Sequence, residues 1–318
     1  MITYIIKTIV CSALFLVFYR LVLEKERMYR FNRFFLLAGL ALSFLAPFFT
    51  FGTDIVPISS MDYYEVPSIM NGVENAPRNI DMETVHDRPI LEYLYIIYAA
   101  VTILFFLRFL LNLTVIIYRI WKYEVIQIEG AKLVLMDTGI APHSFLNYIF
   151  LYRPDYLEGN IEKEIMTHEL AHVRQRHSLD ILLIEAVWVF LWFNPMIFFY
   201  RKAILLNHEL LADEAVMQRH DNIKDYQNLI LKRSTMDAGP SISSRFNFST
   251  LKKRLMMMKK NTSPRKALLK QGTAVIIFLV SLILFGERTE AQDNIIGCTT
   301  NFPNGLIGVD LSRKIAIL

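Results

Sequence analysis

Four stretches of the chain are apolar over most of the length that a membrane-spanning helix needs. Residues 2–19 (ITYIIKTIVCSALFLVFY) carry only Lys7 as a charge, and residues 34–50 (FFLLAGLALSFLAPFFT) carry none. Residues 93–118 are interrupted by Arg108 and Asn112. Residues 273–285 (TAVIIFLVSLILF) become long enough, by the rule of about 20 residues, when extended back to Leu268. Between the third and fourth stretches the pattern changes. Residues 123–137 (YEVIQIEGAKLVLMD) predict two short strands around Glu129-Gly130, and 143–152 (HSFLNYIFLY) predict another. Residues 153–160 read as a polar turn. A helix follows over 161–176, with Asn160 in cap position and Glu162 and Glu164 favouring its first turn. A second polar-faced helix covers 201–220 (RKAILLNHELLADEAVMQRH), and between the two lies a fifth apolar run, 179–200.

Charge orders these pieces across a membrane. Residues 20–33 carry Arg20, Lys25, Arg27, Arg30 and Arg33, whereas 51–90 carry only Arg78 and Arg88 against seven acids. Residues 245–270 are densely basic. Lysine and arginine stay on the cytoplasmic side. The N-terminus and the loop 51–90 are therefore expected outside, and 20–33 inside. The expected organisation is three spans in 1–118, a cytoplasmic domain over 119–267, a fourth span over 268–286 and a short external tail, 287–318. The first stretch lacks a small-residue cleavage site before the charged segment after it, so an uncleaved anchor is expected rather than a signal peptide. Arg108 inside the third span calls for a partner or a protein-facing position. In 245–270, Phe246, Phe248, Leu251 and Leu255 stand beside Lys252, Lys253 and Arg254. That mixture suits membrane lipid at the inner face, with no direct nucleic-acid contact.

Composition agrees with a membrane protein. Hydrophobic residues make up 54% and charged residues 20%, against about 25% charged in ordinary soluble domains. The mean hydropathy is +0.34. The two cysteines, Cys11 and Cys298, exclude a disulfide framework and a cysteine metal site.

The first polar helix contains MTHELAHVRQRHSLD, with His168, Glu169 and His172 in an HExxH. This spacing puts both imidazoles on one helix face, where they can hold one zinc ion and leave room for a third ligand and a water. Glu169 projects beside them, where it can take a proton. The second helix offers Glu209 as the third ligand, and Asp213 one turn on can fix a ligand histidine through a hydrogen bond. His208 is a rival ligand on another face. Such a site forms only if 179–200 makes no net crossing. Asn194-Pro195 is a natural break, and Glu185 makes a simple lipid-facing span costly.

HELAH (168–172), WFNP (192–195) and NHELLADEAV (207–216) together resemble the M56 peptidases, the BlaR1/MecR1 type of antibiotic-sensing membrane receptor. The resemblance implies a mainly α, polytopic membrane protein of the bacterial inner membrane. Its cytoplasmic domain would be a gluzincin-like zinc metallopeptidase carrying a small β-sheet. It implies His168, His172 and Glu209 as ligands of Zn2+, Glu169 as general base and Asp213 as the acid four residues after the third ligand. Ala212 stands where that family usually has a cysteine, which is not a ligand. The family's large external sensor has no counterpart in the residues after Phe285, which hold no S-x-x-K, so β-lactam sensing is not supported.

The function expected from the resemblance is cleavage of a cytoplasmic protein, a transcriptional repressor or the protein itself, in response to an envelope signal. A homodimer is compatible with this role. The rival roles are membrane-protein quality control and a non-catalytic receptor or scaffold. His177, Arg174, Arg176 and His220 are the near candidates for holding an oxyanion. Asp180 is expected to cap the helix that follows. The strand 143–152 is either the edge that pairs with a substrate strand or an ordinary core strand.

Overall fold

The computed structural model describes residues 2–46, 50–52, 88–236 and 243–285, and the strand residues 287–289, 300–301 and 307–308. Most of the expected external loop 51–90, most of the tail and Cys298 lie outside the described residues.

Helix α1 (Ile2–Phe18) continues through one π-helical turn, Tyr19–Leu23, before the chain reverses into α2 (Tyr29–Leu45). The two run antiparallel, with the Tyr4 hydroxyl donating to the Phe44 carbonyl at 3.0 Å. Gly39 lies where α2 meets Phe15 of α1. A Cβ there would stand 3.3 Å from Phe15 and from the Tyr200 hydroxyl, so α2 can press on both neighbours only without a side chain at this point. α3 (Arg88–Lys122) follows. Among the described residues, three helices are long and apolar enough to cross a membrane, Thr3–Leu23, Glu92–Lys122 and Pro264–Phe285. α2 was expected as a fourth. Its 17 described residues extend about 26 Å at 1.5 Å per residue, at the lower end of the roughly 17–25 residues that cross a membrane, and residues 47–49 of the expected stretch lie outside the described residues.

The sheet that follows α3 has four strands in the order β2-β3-β5-β4. β1 (Thr50–Gly52) lies outside this sheet. β2 (Glu124–Ile128) and β3 (Ala131–Met136) form the expected hairpin, turning through Gly130 at φ +85°. The expected single strand 143–152 is instead a second hairpin, β4 (His143–Phe145) and β5 (Tyr148–Tyr152). Leu146 takes a left-handed φ of 51° at the turn, and the Ser178 hydroxyl accepts its amide hydrogen at 2.8 Å. β5 pairs parallel with β3, which leaves β4 at one edge and β2 at the other. The expected polar turn at 153–160 begins with a short helix, α4 (Arg153–Leu157), because Pro154 preorganises its first turn.

Helix α5 (Lys163–Arg174) has Glu162 at its N-cap position, with no side-chain cap hydrogen bond, and not Asn160, whose amide bonds the Glu158 carboxylate instead. The apolar run 179–200 folds back on itself. α6 (His177–Phe190) ends before WFNP, and α7 (Pro195–Arg219) returns along it. Asn194 Oδ1 accepts the Met196 amide at 2.9 Å and Pro195 fills the first helical position, so the break is set by capping chemistry. An ion pair between Glu185 and Arg201 joins the two arms. α8 (Ile223–Met236), α9 (Ser243–Met258) and α10 (Pro264–Phe285) complete the helices.

One core joins α1, α2, α6, α7 and α10 through Phe15, Phe35, Leu36, Ile184, Tyr200 and Ile204. A second lies between one face of the sheet and α5, through Leu133, Leu135, Ile149, Leu151 and Val173. The other sheet face packs Val134, Met136 and Phe150 against Ile116 and Ile120 of α3. β1, which follows α2, pairs parallel with β6 (Glu287–Thr289), which follows α10. At the opposite ends of the same helices, the Arg27 amide donates to Thr262 and Lys270 meets Glu26 at 2.8 Å.

Candidate metal centre

The α5–sheet core decides which way the HExxH faces. Ile165, Ala171 and Val173 are buried, with Val173 in the core against the sheet, and His168 and His172 turn towards α7. α7 answers with Glu209. The His168 and His172 Nε2 atoms are 3.2 Å apart. The Glu209 carboxylate lies 3.5 Å from the first and 3.6 Å from the second. A four-coordinate zinc with bonds of about 2.0–2.2 Å needs its donors about 3.3–3.5 Å apart. The triangle formed by these three groups has that size, and its donor chemistry, two imidazoles and a carboxylate, suits zinc. Glu169 is buried beside it and accepts a hydrogen bond from Ser144 on β4. Burial pushes the Glu169 carboxyl up, against the pull of His168 and Ser144.

The groups behind His168 and Glu209 come from three helices, α7, α8 and α9. Asp213 is only 1% exposed. Its Oδ1 is 3.4 Å from His168 Nδ1, but the Tyr226 hydroxyl of α8 sits closer, at 2.9 Å, and itself donates to Asp213 at 2.8 Å. Asp213 therefore orients His168 largely through Tyr226. Arg254 of α9 donates to Asp213 twice, at 2.6 and 2.9 Å, and reaches Glu209 at 2.8 Å. Burial pushes the Glu209 carboxyl up, but the His168 hydrogen bond and the Arg254 charge outweigh it and leave it below the ordinary range. Arg254 was expected at a lipid surface. It shares a helix face with the buried Leu251 and Met258 and points into the protein. Lys253 likewise meets Glu24, and Lys260 and Lys270 meet Glu26, so these cations of 245–270 serve intramolecular pairs.

His172 has a different support. Its Nδ1 lies 2.8 Å from Nδ1 of His177, whose Nε2 is 3.2 Å from Gln175 Oε1. His177 is 1% exposed and stacks on His208, with centroids 4.2 Å apart and planes 5° apart. It stands behind the ligand and does not face a substrate. Burial, with His208, His172 and Arg33 nearby, holds the His177 ring far below the ordinary histidine range and hence neutral. His208 is no rival ligand, since its Nε2 lies 2.8 Å from Asp180. Asp180 does not cap the helix, whose N-cap is Arg176; it lies in the first turn of α6 and also accepts two hydrogen bonds from Arg33 of α2, at 2.6 and 3.1 Å.

Of the remaining oxyanion candidates, Arg174 and Arg176 are exposed, and His220 contacts Thr167 and Glu164 at the start of α5. Among the described residues, Arg254 is the guanidinium at the triangle. Its signal in the sequence was the 251/254/258 spacing, which repeats at helical period. Tyr226 shows the same spacing with Ile230.

Fold and site together define a multi-spanning, mainly helical membrane protein with a small mixed sheet and a candidate His-His-Glu metal site. Residues 151–258, which contain the whole donor triangle, match the family model of the BlaR1 peptidase M56. The regulatory protein BlaR1 of Staphylococcus aureus is similar to this chain, with 27% identity over 145 residues. The match covers 42% of this chain and 23% of that protein, so the matched stretch spans about a quarter of the curated relative.

Proposed function

We propose that this protein is a zinc metalloendopeptidase of the bacterial inner membrane, with its peptidase domain in the cytoplasm. The observation that carries this reading is the donor triangle of His168, His172 and Glu209 with the buried Glu169 beside it. A zinc ion held by the three ligands would supply Lewis acidity, acidifying a water and polarising a peptide carbonyl. Glu169, whose carboxyl is pushed up by burial, takes the proton from the attacking water and passes it to the leaving amine. Tyr226 and Asp213 hold the His168 ring, and Arg254 neutralises Asp213 and Glu209.

Backbone recognition falls to β4. It is the edge of the sheet that lies alongside α5, and its Ser144 touches Glu169. A substrate strand added there would run past the general base. The substrate we favour is a cytoplasmic protein, a transcriptional repressor or the protein's own cytoplasmic segment, cut in response to an envelope signal. This role follows the M56 match and the likeness to a regulatory protein.

The test is a proteome comparison of wild type with Glu169→Gln under envelope stress. A soluble regulator or a receptor fragment that changes only in wild type supports the signalling role. Accumulation of misfolded membrane proteins in the variant replaces it with quality control, and no change with zinc bound leaves a non-proteolytic receptor. Reporter fusions check orientation, and an external signal at residue 150 defeats it.

A further inference from the structure

The turn between α5 and α6 is only two residues long, Gln175 and Arg176, and Arg176 sits in the left-handed region at φ 54°. A side chain there costs roughly 1 kcal/mol or more, so something outside the turn must fix it. What the turn achieves is specific. It places His177 behind His172, with facing Nδ1 atoms 2.8 Å apart. Two neutral imidazoles can share that distance only if one donates and the other accepts. His172 directs Nε2 at the donor triangle, so that nitrogen must carry the lone pair and Nδ1 the proton. His177 then accepts at Nδ1 and carries its own proton on Nε2, where Gln175 Oε1 lies 3.2 Å away to receive it. Every hydrogen in this row has one acceptor.

The row ends on the N-terminal hairpin. Arg33 of α2 uses its whole guanidinium on the turn and the first part of α6: Nε and Nη2 to the Asp180 carboxylate and Nη1 to the Gln175 carbonyl at 2.8 Å. Asp180 in turn receives His208, whose ring lies flat on His177. A planar fork that engages both a carboxylate and a carbonyl fixes orientation as well as distance, which a lysine could not.

We propose that His177 is the positioning residue of His172, fixing its tautomer and ring angle for metal binding, and that Arg33 holds His177 in place from the α1–α2 hairpin through Asp180, His208 and the Gln175 carbonyl. The inference rests on reading His172 as a metal ligand. It makes the metal affinity of the site depend on a residue of the N-terminal apolar hairpin, 139 positions before His172 in the chain.

The experiment measures zinc affinity of the full-length protein in detergent by competition with a chromogenic chelator, with thermal unfolding in chelator as the control for folding. His177→Phe keeps a flat ring against His208 but cannot accept a hydrogen bond. It should bind zinc about 10–100-fold more weakly, the usual effect of losing a ligand's hydrogen-bond partner. His177→Asn puts a carboxamide oxygen near the position of Nδ1 and should restore binding to within a few-fold of wild type, although it loses the stack. Arg33→Gln should weaken binding, and combined with His177→Phe it should add little, because both act on the same ring. Equal zinc affinity for His177→Phe and wild type, with binding abolished in His172→Ala, overturns the proposal and leaves the metal site standing. An Asn variant as weak as Phe shows that packing alone matters, which also overturns it. Fully additive losses for Arg33→Gln and His177→Phe remove Arg33 from the row. Failure of the wild type itself to bind zinc sinks the metal-site reading, and this inference with it.

Discussion

Arg254 is the residue whose removal the geometry prices most clearly. Its side chain is 16% exposed and that of Asp213 1%, so Arg254→Leu strips the counter-ion from a carboxylate that cannot reach water. Breaking a buried pair by removing one partner costs about 3–5 kcal/mol. The Tyr226 hydroxyl still donates to Asp213 and offsets about 1 kcal/mol, which places the expected loss near the lower end, about 3 kcal/mol. Arg254→Lys restores a charge but not the fork that spans Asp213 and Glu209, so it should recover about half. Metal adds a second effect. A bound zinc stabilises the native state by mass action, about 2.7 kcal/mol at 100 times Kd. It would also replace the field of Arg254 at Glu209, but not its hydrogen bonds to Asp213. The deficit of Arg254→Leu should therefore shrink when zinc is added, without vanishing. Denaturant unfolding of the detergent-solubilised protein, once with chelator and once with zinc, measures both quantities. A variant within about 1 kcal/mol of wild type in chelator would refute the counter-ion argument.

Two further outcomes are expected. Tyr226→Phe deletes the hydroxyl between His168 and Asp213 while keeping the ring in its core, so zinc affinity should fall by about 10-fold or more with little change in the chelator-treated unfolding midpoint; an unchanged affinity would show that Asp213 serves His168 directly. Glu26 gives a pH dependence: burial pushes its carboxyl up, but hydrogen bonds from Lys270 and Thr262 and the charge of Lys260 outweigh this and hold it below the ordinary range. Because the folded value lies below the unfolded one of about 4.3, the stabilisation is full above that pH and is lost as pH falls through the folded value. Glu26→Gln should be less stable at neutral pH and lose less stability on acidification below about pH 4; parallel acid-unfolding curves for the two proteins would count against this pairing.

Local pattern carried the sequence a long way. Alternation located β2 and β3, the helical period located α5 and α7, and Asn194-Pro195 marked the fold-back that brings Glu209 to His168. The failures share a cause. The β4–β5 turn depends on Ser178, 32 positions from Leu146, and no residue within 143–152 announces it. α2 was expected as a span because its composition is apolar, and it also lies in a shared core with α1, α7 and α10, which composition does not announce. An apolar run packed in protein and one bathed in lipid look alike along the chain.

The charged residues show the same ambiguity in sharper form. Arg33 was counted with four other cations as a topology signal, and Arg254 as part of a polybasic face. Both assignments explain why a cation is tolerated there, but neither explains why it is arginine. The answer lies 147 positions away for Arg33, at Asp180, and 41 away for Arg254, at Asp213. In each case a planar fork meets a nearly fully buried carboxylate with two hydrogen bonds, and its third nitrogen reaches a second acceptor, the Gln175 carbonyl or the Glu209 carboxylate. Both forks close on the shell of the donor triangle, one behind His172 and one behind His168. A loop-charge count is indifferent between lysine and arginine, whereas a two-acceptor clamp is not. Arginine in a basic segment of a membrane protein can therefore carry positional information about a site that no nearby residue reveals, and here it ties the candidate metal centre to both the N-terminal hairpin and the helix that leads into α10.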